Sequence, residues 1–206
     1  MSFLKNLTWR YATKKYNGSP VSDESLHSIL NAIRFAPSAN GAQPYHIIVA
    51  HGALKDRLIE SSGQTDKLGA SHVLVFCTRT DYPYRAEELL RITAEVQNVP
   101  LESLSGYKTS LWHAIDKPLD MLRAWAGRQA YIALGFALAA AAELSVDASP
   151  MEGFKPDEFK NILTLPEYLD PVVIMALGYR DSSDTNQPQF RKKVRFPESD
   201  LFEFRN

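Results

Sequence analysis

The stretch from Pro118 to Leu144, PLDMLRAWAGRQAYIALGFALAAAAEL, decides how the rest of the sequence is read. Proline opens it, as the first helical position favours, and no charge interrupts it from Ala130 to Ala142. An alanine-rich, almost uncharged helix has to be covered on several sides. Its apolar part falls short of the roughly 18 to 20 residues that a membrane span needs. It therefore predicts a buried helix, and in a chain of 206 residues a helix of this kind suits a subunit interface.

Upstream, Ser22 reads as an N-cap followed by Asp23 and Glu24, where the helix dipole favours negative charge. Leu26, Ile29, Leu30 and Ile33 then give one apolar face, and Pro37 stops the helix. The small-residue loop SANGAQP (38–44) leads into a strand over 45–50. A short helix over 53–61, a polar loop at 63–67 and a second strand over 72–78 follow. Residues 83–116 read as helical and polar. The segment between 100 and 117 is the least regular, with Tyr107 and Trp112 as the large side chains of either a lid or a surface connection. Beyond the long helix come a short strand at 146–150, a helix at 156–163 and a strand at 171–177. Residues 179–206 carry no strong periodic element, so they either lie on something else or fray. Strands separated by helices predict an α+β or α/β architecture, with 1–206 as a single domain.

Lys and Arg total 23 against 24 Asp and Glu, a formal charge of −1. That balance argues against a protein that lives on nucleic acid, which carries a basic excess. The 45% hydrophobic content excludes disorder. Cys77 is the only cysteine, so no intrachain disulfide and no cysteine metal cluster can form. It reads as a small core residue of the strand HVLVFC (72–77). The opening MSFLKNLTWR lacks the apolar run of a signal peptide, which predicts a cytoplasmic protein.

G-x-G-x-x-G and G-x-x-x-x-G-K-[ST] are absent, so neither a Rossmann fingerprint nor a P-loop is available. H-E-x-x-H and G-x-S-x-G are absent too, and the five histidines are scattered singly, which leaves no metal site and no triad to predict. Four pieces remain. RYATK (10–14) sets two cations four residues apart, able to hold a phosphate or polarise a carbonyl, or simply to form a solvated basic turn. The loop 37–44 offers backbone groups and amides to a ring. PMEGF (150–154) turns on a glycine, where backbone can approach a flat ligand closely. RKKVRFP (191–197) is a basic cluster that, alone, reads as a solvated face.

Taken together and in this order, RYATK, PSANGAQPYH near 40, ASHVLVF near 72, MEGF near 151 and KKVRFP near the end resemble the FMN-dependent nitroreductase family, of the oxygen-insensitive NAD(P)H nitroreductase and flavin reductase type. The resemblance covers essentially the whole chain. It implies a nitroreductase-like three-layer α+β sandwich, with a central, mostly antiparallel sheet flanked by helices, in an intertwined homodimer. The long helix is then at the interface, and 180–206 is a C-terminal arm on the partner subunit. The implied chemistry uses bound FMN, NAD(P)H as a transient hydride donor and a small-molecule electron acceptor, with neither nucleic acid nor membrane as partner.

By the same resemblance Arg10, Lys193 and Arg195 hold the FMN phosphate, Tyr11 and Ala12 lie at the cofactor, and Lys14 reaches the pyrimidine edge of the flavin. Pro37, Ser38 and Ala39, with Asn40 beside them, come from the opposing subunit. Glu152 and Gly153 sit over the reactive N5 region. Gln64 and Lys67 resemble the polar pair below the flavin, with Asp66 as the competing neighbour. The family often has serine where Ala12 stands, and Asn40 lies one position before the loop asparagine expected at Gly41. No protein nucleophile is needed, because the flavin transfers the hydride. The implied activity is ping-pong reduction of nitroaromatics, quinones or similar acceptors. The alternatives are a flavin or dihydropteridine reductase, a flavin-binding storage or regulatory protein without turnover, and a dimeric interaction module without flavin.

Overall fold

A computed structural model describes residues 3–205, and it opens with a helix that the sequence reading did not contain, α1 (Phe3–Trp9). Seven residues are too few to hold a helix alone in water, so tertiary contacts hold this one. The Asn6 amide donates to the Glu143 carboxylate, and the Arg180 guanidinium lies 4.3 Å from the centre of the Trp9 ring. In α2 (Asp23–Arg34), Leu26, Ile29 and Ile33 are buried as the periodicity predicts. The Ser22 hydroxyl caps it by accepting from the Ser25 amide at 3.2 Å.

β1 (Tyr45–His51), α3 (Gly52–Ser61) and β2 (His72–Arg79) follow within a residue or two of the sequence reading. The helical stretch expected at 83–116 is two helices, α4 (Tyr82–Gln97) and α5 (Ser105–Ile115). Asn98 ends α4 in the left-handed region at φ 54°, and Pro100 then keeps the chain from resuming an α-helix at once. The long helix is α6 (Leu119–Glu143), with Pro118 as its N-cap rather than its first helical residue. β3 (Asp147–Met151), α7 (Pro156–Leu163), β4 (Leu169–Gly178) and the short α8 (Glu198–Leu201) complete the order.

The four strands make one sheet in the order β1-β2-β4-β3, every pair antiparallel. Alternation along β2 and β4 sends Leu74, Phe76, Val173, Met175 and Leu177 into a core with α2 and α6. Val73, Val75, Cys77, Ile174 and Ala176 enter a second core under α3 and α7, where Leu58, Ile59 and Phe159 are fully buried. Both faces of the central strands are covered, which is why they read as continuous apolar runs. The result is an α+β sandwich of three layers. Burial lifts the Cys77 thiol to about 12, so it stays an inert core group.

On α6 the chain covers one face and leaves another bare. Ala126, Ala130, Ala133, Ala137 and Ala141 are fully buried, while Tyr131, Ile132 and Phe136 are exposed. Among the described residues no helix is long and apolar enough to cross a membrane.

The tail divides in two. Its first part is strapped to the chain's own beginning, through a bridge between Tyr16 and Arg180 and a bond from the Tyr11 hydroxyl to the Arg191 carbonyl at 2.6 Å. The Lys193 ammonium donates to the Leu7 carbonyl at 2.6 Å and to that of Arg10. The arm expected over 180–206 is therefore bound within its own chain as far as Lys193. Residues 194–205 are exposed throughout.

Candidate functional site

The residues after α1 run without helix past the end of β4, where a buried carboxylate of β3 organises them. Asp147, 3% exposed, accepts from the Thr13 hydroxyl at 3.1 Å and from the Arg180 amide and Nε at 2.8 Å each. Asp184 fixes the next two residues by accepting from the amides of Lys14 at 2.7 Å and Lys15 at 3.1 Å. Burial pushes the Asp184 carboxyl up, but the amides of Asn186, Lys14 and Lys15 and the charge of Arg180 outweigh it and hold its pKa below the usual carboxylate value. Tyr16 is then locked, its ring against Gly178, where a Cβ would come within 2.7 Å. The Lys14 side chain is left exposed on a backbone that is fixed.

Arg10, Lys193 and Arg195 form a cationic corner with no carboxylate paired to any of them among the described residues. The Arg10 Nη1 is buried without a hydrogen-bond partner, and burial together with the Arg195 charge lowers its pKa. Burial, with the charges of Arg10, Arg195 and Arg180, brings Lys193 down to about 8. Its ammonium serves the carbonyls at the end of α1, as cations at helix C-termini do, and lies 4.8 Å from the Tyr11 ring centre. The Arg195 guanidinium bonds only the Val194 carbonyl, at 2.6 Å, and is exposed. A buried guanidinium nitrogen without a partner, among repelling cations, is a place where an anion relieves both the missing bond and the repulsion.

The turn after β3 carries Glu152 and Gly153 beside the loop 63–67. A Cβ on Gly153 would lie 3.5 Å from the Gln64 amide nitrogen. Lys67 is 1% exposed, and its ammonium donates to Gln64 Oε1 at 3.0 Å and Asp66 Oδ1 at 3.1 Å. The three residues that compete in the sequence are thus one hydrogen-bonded unit. Lys67 is its buried centre, and Asp66, half exposed, compensates its charge. Glu152 accepts from the Tyr131 hydroxyl of α6. Burial, followed by that bond and the Glu152 charge, lifts Tyr131 to about 12, so it remains a donor.

The loop after α2 stands apart. Pro37, Ala39 and Asn40 are exposed, and no hydrogen bond joins residues 37–40 to Arg10, Lys14, Gln64 or Glu152 among the described residues. Its own ties are the Ala39 amide to Gln129 Oε1 at 2.8 Å, the Gln43 amide to the Ser38 hydroxyl at 3.0 Å and the Tyr107 hydroxyl to the Asn40 carbonyl at 2.6 Å. Sequence reading missed Gln129, Tyr131, Asp147, Arg180 and Asp184, and named Tyr107 without its tie to this loop. Each acts on a residue far away in the chain, and no local pattern marks it. Grooves of about 840 Å³ around Trp112 and about 750 Å³ around Tyr168 contain none of the residues expected at the cofactor.

These features define an α+β protein with a layered antiparallel sheet, a cationic corner at the tail and a glycine turn beside Gln64. The chain belongs to the nitroreductase family, whose model matches residues 7–179. The Bacillus subtilis protein YfkO, provisionally named an NAD(P)H nitroreductase, is 32% identical over 194 residues, spanning 86% of this chain and 88% of its own. Among solved structures, a protein of Staphylococcus epidermidis titled as an NAD(P)H:FMN oxidoreductase superposes with a TM-score of 0.87 at 19% identity, covering 98% of this chain and 95% of its own. One from Exiguobacterium sibiricum, solved in complex with FMN, gives 0.83 at 17% identity, covering 100% and 98%. At those identities the structures speak to the fold. The family match ends before Lys193 and Arg195.

Proposed function

We propose that this protein is an FMN-dependent NAD(P)H oxidoreductase that reduces nitroaromatics, quinones or similar acceptors. The observation that carries the reading is the cationic corner, where the partnerless Arg10 nitrogen and the depressed Lys193 suit a phosphate of about two negative charges. Arg10 and Arg195 offer forked donors and Lys193 a point charge. In this reading Lys14, held by its backbone and open at its side chain, stabilises negative charge on a ring bound against Glu152, Gly153 and Gln64. FMN, when bound, supplies the hydride relay between nicotinamide and acceptor. The FMN complex of the Exiguobacterium relative supports the cofactor, and the names of the Bacillus and Staphylococcus relatives support the donor.

The working unit in this reading is a homodimer. Tyr131, Ile132 and Phe136 of α6, together with Phe196, Phe202 and Phe204 of the tail, are apolar side chains left bare by one chain, and exposure on this scale marks an interaction surface. A partner would bring its loop 37–40 to the cofactor site.

Purified protein tests the reading. It should be yellow, lose its colour with NADH or NADPH in the absence of oxygen, and regain it with a quinone or nitroaromatic. A colourless protein that takes up no FMN would refute the cofactor, and a yellow one inert to both nucleotides would refute the enzyme. Donor and acceptor using one ring face in turn should give parallel double-reciprocal lines, whereas intersecting lines would mean a separate nucleotide pocket.

A further inference from the structure

The loop after α2 contains a rare run of left-handed backbone, with φ of 54° at Asn40, 62° at Gly41 and 42° at Gln43. For residues other than glycine such angles are strained and persist only where surrounding bonds over-determine them. Inside the loop, the Gly41 amide bonds the Ser38 carbonyl at 2.9 Å and the Ala42 amide that of Ala39 at 3.1 Å. From outside it is held by Gln129 of α6 and by a single group of α5, the Tyr107 hydroxyl on the Asn40 carbonyl. The fit there is close, since a Cβ on Gly41 would lie 3.6 Å from that hydroxyl. Burial raises the Tyr107 pKa, which keeps the hydroxyl a donor. Helix α5 packs chiefly on α4, burying Leu111 against Ala86 and Leu90, and so reaches the loop without belonging to the sheet.

We propose that Tyr107 is a positioning residue for the cofactor-facing loop: by holding the Asn40 carbonyl it fixes the left-handed stretch and so sets where Ser38 and Ala39 stand. This assigns a role to the segment between 100 and 117, whose sequence left open a lid or a plain connection. The consequence for flavin binding rests on the functional reading above, in which residues 37–40 face the cofactor. The clamp itself does not.

Tyr107→Phe removes only the hydroxyl. In the flavin-free protein, hydrogen exchange at the Gly41 and Ala42 amides should quicken by about five- to tenfold, the weight of one ordinary hydrogen bond, with a fall in melting temperature of no more than about 4 °C. In an FMN titration of that protein the Kd should rise at least threefold. Trp112→Phe, which disturbs α5 without touching the loop carbonyl, should leave both within twofold. Unchanged exchange in Tyr107→Phe would overturn the clamp, and equal losses in the two variants would show that helix packing, not the hydroxyl, is responsible. Faster exchange with unchanged FMN affinity would overturn the positioning role. A wild-type protein that takes up no FMN would sink the functional reading, with the exchange result still deciding the clamp.

Discussion

The two halves of the C-terminal tail follow opposite rules. From Arg180 to Lys193 nearly every anchoring polar group has a partner in the first sixteen residues or in β3, including Arg180 with Asp147, Asp184 with Lys14 and Lys15, and Lys193 with Leu7 and Arg10. From Val194 to Arg205 the side chains are exposed, and among them Phe196, Phe202 and Phe204 are apolar. The first half is part of this chain's own fold. The second is apolar surface for which the described residues of this chain offer no cover. The same twenty-odd residues thus join a piece of intrachain structure to a piece suited to association.

The strongest way to break this division is to cut it. A chain ending at Gly178 loses both halves and should give no soluble, cooperatively melting protein. A chain ending at Arg195 keeps the strap and should fold, and its sedimentation should show loss of the dimer. A soluble monomer from the shorter chain would erase the distinction.

Asp184→Ala tests the strap from within. It removes a buried carboxylate accepting from three amides, those of Lys14, Lys15 and Asn186, and should cost about 3 kcal/mol or more in urea unfolding. The depressed pKa of Asp184 adds a pH signature. Its folded value lies below the unfolded one, so its contribution is present above the unfolded pKa and is lost as pH falls through the folded pKa. The variant should therefore lose the part of acid destabilisation that the wild type shows below about pH 4.

Lys193 sits at the junction of the halves, and its lowered pKa of about 8 gives two opposite slopes. The unfolded chain binds more protons than the flavin-free folded protein between about pH 8 and the ordinary lysine value, so stability should rise with pH across that window. FMN affinity should fall over the same range, because the phosphate wants the cation. Lys193→Met should flatten both slopes and weaken FMN binding by about tenfold. A variant that keeps the FMN slope would remove Lys193 from the anion site, and one that keeps the stability slope would assign that titration to another group.

The smallest effect on the fold belongs to the bare half. Phe204→Ser, at 95% exposure, should change the unfolding free energy at low protein concentration by less than about 0.5 kcal/mol, while shifting the monomer–dimer equilibrium measured by sedimentation. A loss of monomer stability as large as that of Asp184→Ala would place this end inside the fold.

The sheet and most helices were legible because their signals are local. Capping at Ser22, the apolar spacing of α2 and the unbroken runs of β2 and β4 each lie within a dozen residues. Helix α1 was not legible, because its stability comes from Asn6 meeting Glu143 and Trp9 meeting Arg180, pairs that no window contains. The same holds at the site. Residues of RYATK and MEGF could be singled out, but Asp147 and Asp184, which place the first, and Tyr131, which holds the second, carry no pattern of their own. Gln64, Asp66 and Lys67 competed on paper because only geometry shows them as one unit with Lys67 at its centre.

The strap also has a consequence for how the molecule is made. Its cationic corner joins Arg10 to Lys193, 183 positions apart, and segments that emerge first from a ribosome begin folding first. The sheet strands β1 and β2 can pair while translation continues, but the cationic corner cannot assemble until Lys193 has been made. In the functional reading proposed above, a chain still short of Lys193 has no complete corner with which to hold a phosphate.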